Sequence, residues 1–128
     1  MKKDLIMKKM NGYCSFEVNK LLKVCGFNKT SHWLYSNGCF FEWGGEINEY
    51  VDELIFCHSF YDALDWLIYT KSLYVEVDYD EMGGFGFAII DLSKQERIYV
   101  SESTWFDFGA AVNEGIYYAL QNYVLNKC

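Results

Sequence analysis

Residues 73 to 80, LYVEVDYD, alternate without a break. Leu73, Val75, Val77 and Tyr79 fall on one side of an extended chain, and Tyr74, Glu76, Asp78 and Asp80 on the other. Successive side chains of a strand point to opposite faces, so this segment predicts a strand with one face on a core and one in water. Such a strand needs partners. Apolar segments at 85–92 and 97–101 follow it after short polar turns, and the three together predict an antiparallel meander.

Helical spacing brackets the meander. In SFEVNKLLKVCGF, Val18, Leu21, Leu22 and Cys25 fall at i, i+3, i+4 and i+7. Ser15 reads as the N-cap of this helix and Gly26-Phe27 as its C-terminal turn. In SFYDALDWLIYTK, Phe60, Ala63, Leu64, Leu67 and Ile68 repeat the spacing, with Ser59 and Asp62 placed as a capping box. A last helix runs from an Asp107 cap to about Asn126, with Phe108, Val112, Ile116, Ala119, Leu120 and Tyr123 along one face. Between the first two helices, Leu54 to Cys57 predicts a strand. His32 to Tyr35 and Cys39 to Trp43 predict a hairpin across Ser36-Asn37-Gly38.

The fold class that follows is α+β: an antiparallel or mixed sheet packed by two long helices plus a short N-terminal helix. At 128 residues the chain has the length of one domain, taken as residues 15–128 after a flexible leader at 1–14. Its 52% hydrophobic content predicts a real core. The start, MKKDLIMKKMNG, has lysines but only Leu5, Ile6 and Met7 as an apolar run, short of the ~7–15 apolar residues a signal peptide needs. No run reaches the ~18 apolar residues of a membrane span, so no membrane partner and a cytoplasmic protein are expected. Five scattered cysteines without a CxxC pair fit reduced thiols.

One motif points elsewhere. GGFGFAII, residues 83 to 90, matches the centre of the octamer of RNA-recognition modules, and IFCHSF (Ile55 to Phe60) resembles its shorter companion. The match fails at its functional positions: Gly83 stands where a basic residue belongs and Ile90 where the last stacking aromatic belongs. The strand beside it carries Glu76, Asp78 and Asp80, the wrong sign for RNA. The segment reads as a hairpin turn, DEMGG, whose glycines relieve positive φ, followed by an aromatic strand.

Charge is segregated along the chain. Residues 1–41 carry seven lysines against Asp4 and Glu17; residues 42–81 carry eleven acids against Lys71 alone. The acidic middle repels phosphate backbones and attracts a basic partner, so no nucleic acid is expected. A calcium loop at Asp78 and Asp80 breaks down at Met82 and at Ile89, which stands in place of the closing Glu. A dinucleotide fingerprint at Gly84-x-Gly86 lacks its third glycine. Cys57 and His58 are adjacent on a strand and so point apart, which disfavours a shared metal ion. Cys57 or Ser59 beside His58 has no motif supplying an orienting acid or oxyanion hole. No cofactor, metal or catalytic residue is assigned. The site-level expectation is the aromatic hairpin of Trp33, Tyr35, Phe40, Phe41 and Trp43, one face of which packs on a core while the other is open to a partner or to self-association.

The order of SFEVNKLLKVCGF, HSFYDALDWLIYTKSLYVEV and STWFDFGAAVNEGIYYALQNYV resembles a set of small uncharacterised proteins of phages and prophages of gut anaerobes. The shared marks are a Leu-Leu-Lys helix ending in Gly-Phe, the pair Trp66-Leu67, and a last helix with spaced Ala110, Ala111, Gly115 and Ala119. His58-Ser59 departs from the Pro-Thr usual before the second helix. The group is similar to phage α/β/α sandwich domains, and the resemblance implies a mobile-element origin and no catalytic residues. The function expected is a non-enzymatic accessory protein binding a protein partner, basic or a second copy of itself. The alternatives are a small hydrolase or metal-dependent enzyme using the acids of residues 42–53 or 78–81, and an acidic DNA mimic.

Overall fold

The computed structural model describes residues 12–31, 33–36, 39–42, 55–81 and 83–127. Helix α1 (Phe16–Val24) begins where Ser15 Oγ accepts the Val18 amide at 3.3 Å. It ends in a Schellman turn, with Gly26 N–H donating to Lys23 O and Phe27 N–H to Leu22 O at 2.8 Å. Helix α2 (Phe60–Lys71) starts on Ser59 Oγ, which accepts the Asp62 amide at 3.1 Å. The Asp62 carboxylate accepts from Lys29 Nζ at 3.2 Å. Helix α3 (Phe108–Ala119) is capped by Asp107, whose Oδ2 accepts the Ala110 amide at 3.0 Å. It runs on through a π-helical turn (Leu120–Val124) and a 3-10 turn (Leu125–Lys127). All three caps are those the sequence predicts. No described helix is long and apolar enough to cross a membrane.

The strands are β1 (Trp33–Ser36), β2 (Cys39–Glu42), β3 (Ile55–Cys57), β4 (Leu73–Asp80), β5 (Gly84–Asp91) and β6 (Glu96–Val100). Every described strand pair is antiparallel, one of the two arrangements expected, but the described strands form two sheets, β2-β1-β3 and β4-β5-β6. The free side of the β3–α2 junction is taken by residues 12–14: Tyr13 bridges Ser59, Cys14 N–H donates to His58 O, and Phe60 N–H donates to Gly12 O, both at 2.8 Å. The same bonds place residues 12–14 in the folded unit rather than in a leader.

The meander is in register over eight pairs from Leu73↔Asp91 to Asp80↔Gly84. Gly83, at φ 101, closes its first turn with a bond to Asp80 O. Gly84 is needed for a different reason from the one expected. A Cβ there would lie 2.6 Å from Thr104 Oγ1, because the chain after β6 folds back over β5. It leaves at Ser101 and returns at Trp105, which exchanges backbone bonds of 2.7 and 2.8 Å with Phe85. Helix α3 lies on the inner face of this sheet. A Cβ on Gly115 would overlap Val75 Cγ1 and lie 3.2 Å from Phe87 Cγ. Val18, Leu22, Ala63, Leu67, Val75, Phe87, Ile89, Ile116 and Leu120 form the centre of the larger core among the described residues.

Candidate functional site

The aromatic hairpin is only partly within view. Trp33 is 9% exposed and packs with Cys57, Tyr13, Phe16 and Ile55, so its ring is a core group rather than a docking surface. Its neighbour Leu34 is fully buried, so β1 is covered at both positions. Tyr35, Phe40 and Phe41 lie in the paired strands, with Tyr35 opposite Phe40 and Phe41 opposite Leu34. Trp43 lies outside the described residues, as do His32 and the acids Glu46, Glu49, Asp52 and Glu53.

The Cys57-His58 pair is structural in its surroundings. Both residues are buried, Cys57 Sγ donates to Cys14 O at 3.6 Å, and His58 N–H donates to Asn19 Oδ1 at 3.0 Å. The His58 ring tilts against Phe27 with centroids 4.3 Å apart. Burial pushes its pKa down to about 4, with Asp62 opposing and Lys29 adding to the shift. The ring is thus neutral at physiological pH. Burial, with Cys57 and Asp62 nearby, also pushes the Cys14 thiol well above its ordinary value. A thiol held protonated is a poor nucleophile. Among the described residues no group of three or more His, Cys, Asp or Glu is arranged to hold a metal ion.

A group of exposed aromatics lies where the first turn of the meander meets the start of α3. Tyr79, whose alternation predicts an inward ring, is 66% exposed. Phe85 lies edge-on to Tyr79 at 5.3 Å and to Phe108 at 5.6 Å. Phe108 belongs to the apolar stripe of α3, yet it is 53% exposed, and Phe106 is 97% exposed. The reason is length. Helix α3 begins only at residue 108, so the far end of the eight-residue strands has no helix over it. Phe87, one pleat further in, is covered, and its ring meets Trp105 at 5.5 Å and Tyr118 at 6.0 Å. The aromatics of the GFGF motif therefore pack against protein; the fully covered ring of Phe87 is not open to a stacked base.

Beside this aromatic end, on the solvated side of the sheet, runs an open groove of about 410 Å³. Asp78, Asp80, Glu81 and Glu102 line it, and the one cation among its described residues, Arg97, is held by Glu76 at 2.7 Å. The acidic strand of the sequence and the aromatic-acidic turn TWFDF (residues 104–108) thus meet at one place. Composition alone signals both segments; their meeting depends on Trp105 being bonded back onto Phe85.

No protein-family model matches the chain, and no curated protein or solved structure matches it either.

Proposed function

We propose that the chain is a non-enzymatic accessory protein of phage or prophage origin that binds a basic protein partner through the aromatic and acidic end of its β4-β5-β6 sheet. The observation that carries this is the exposure of Tyr79 and Phe108, whose rings both meet Phe85, with the exposed Phe106 two residues before Phe108 in the chain. Burying one such ring is worth roughly 1.5–3 kcal/mol. Single exposed apolar residues are ordinary, but a group of large rings beside one another marks an interaction surface. The acids of the neighbouring groove set the sign of the partner and would steer its approach. The enzymatic alternative uses the groove's carboxylates but gives the aromatics no role, whereas the binding reading uses both.

The test is capture from nuclease-treated bacterial lysate with the wild-type protein and with a Phe106→Ser, Phe108→Ser variant. Both positions are exposed, so the fold should survive the change. A basic protein held by the wild type and bound at least about tenfold more weakly by the variant supports the reading, tenfold being about 1.4 kcal/mol. A partner held equally by both proteins, or a nucleic acid lost on nuclease treatment, overturns it. A captured protein that duplex DNA competes away would move the case to the DNA mimic.

A further inference from the structure

A second cleft, of about 320 Å³, opens between α3 and the chain that folds back after β6. Its walls are Trp105, Tyr99, Tyr117 and Tyr118, and Glu102 and Glu114 stand among them. Three of the rings are held by ring contacts: Tyr99 stacks on Tyr118 at 3.8 Å and 17°, and both lean on the buried Phe87, which also meets Trp105. The backbone of Trp105 is bonded to Phe85 on both sides. Among the described residues, no lysine, arginine or histidine lines the cleft. Burial first, then Tyr99, Tyr123 and Glu102, pushes the Tyr118 phenol above its ordinary value, as expected in a place that resists further negative charge.

Electron-rich rings with carboxylates beside them attract ammonium groups, those of lysine side chains and of quaternary amines alike. The volume lies at the small end of the ligand-pocket range of roughly 300–1,000 Å³. We infer that this cleft binds an alkylammonium group, seated on the faces of Trp105 and the tyrosines with Glu102 and Glu114 supplying the counter-charge. The inference deepens the proposed function and rests on it for the source of the cation, a lysine side chain of the basic partner. A free quaternary amine has the same chemistry and is the other possible source.

The test needs no partner. Choline and its uncharged carbon isostere, 3,3-dimethyl-1-butanol, are titrated into the ¹⁵N-labelled protein while the Trp105 indole and the amides of Tyr99, Tyr117 and Tyr118 are followed by NMR. N-acetyl-lysine methylamide and its norleucine counterpart form the second pair. The expected result is saturable shifts confined to the cleft, with a cation bound about five- to thirtyfold more tightly than its neutral match. Glu114→Gln, on the exposed side of α3, should lower cation affinity several-fold and leave the neutral probes unchanged. Preference for the lysine probe over choline identifies a polypeptide as the source, and the reverse identifies a small amine. Equal binding of cation and isostere, or no shift with either cation, overturns the inference. Cation binding in the cleft by a protein that captures no partner would support the cleft while removing the protein-binding reading, so the two fail separately.

Discussion

His58 is the buried residue whose ionisation has most to say about stability. Its ring lies in the core face between β3 and α2, with Phe27 on one side and Asp62 and Lys29 as the nearest charges. Its Nδ1 has no hydrogen-bond partner among the described residues. The folded pKa of about 4 lies below the ordinary 6.5, so the unfolded chain takes up the proton first. Stability is therefore full above about pH 6.5 and falls as pH drops toward 4, by at most about 3 kcal/mol. Urea titrations across that window should show the slope in the wild type and lose most of it in His58→Gln; parallel curves would show that His58 is not its source. Asn19 illustrates what a sequence hides at this scale. It is fully buried inside α1, where its amide donates to Cys14 O at 3.0 Å and Ser15 O at 2.9 Å and its Oδ1 accepts from His58. Apolar periodicity assigns the buried stripe to Val18, Leu21, Leu22 and Cys25; it has no means of marking a polar residue buried because three backbone groups require it.

Elements were the most legible scale, because local chemistry decides them. Ser15, Ser59 and Asp107 announce helix starts by the bonds their side chains can make, and alternation announces β4. Which element lies over which residue depends on length and connection, so Tyr79 and Phe108, whose spacing is that of core residues, stand exposed. The candidate site arose from that mismatch, so a periodic pattern alone could not have found it. Gly115 shows the same dependence from the other side, since its small size reads as helix-weakening until the sheet is placed beneath it. Alanine in a helix interior normally gains about 1 kcal/mol over glycine. At 115 the added methyl would overlap Val75 and crowd Phe87, and overpacking of this kind costs typically 1–3 kcal/mol. Gly115→Ala should thus lower the urea midpoint despite its better helix propensity, with unchanged helicity by circular dichroism. A rise in the midpoint would mean that α3 can lift off the sheet freely.

At the scale of the whole molecule the two sheets are unequal. The meander shares a core with the three described α-helices, in which Leu22, Leu67, Ile89, Ile116 and Leu120 are fully buried. Among the described residues the cluster at β1 and β3 is built on Trp33 and Cys57, with Tyr13, Phe16 and Ile55 half-buried around them. Its ladder between β1 and β3 is three pairs long, against eight between β4 and β5. Opening free energies within a protein scale with the buried surface and paired backbone that each cooperative unit holds. Native-state hydrogen exchange should therefore separate the two sheets. Amides of β5 and the middle of α3 should exchange only through global unfolding, with a strong dependence on denaturant. Amides of β1 and β3 should exchange earlier, through an opening that exposes less surface and depends weakly on denaturant. Cys14 N–H, bonded to His58 O at the junction, reports which way the boundary falls. Exchange with the meander would mean that α1 and residues 12–14 belong to the large core and that β1–β3 opens alone. If β1 and β5 instead exchanged with one free energy and one denaturant slope, the two sheets would unfold as a single unit, and the shared buried junction at Asn19 and His58 would be what joins them.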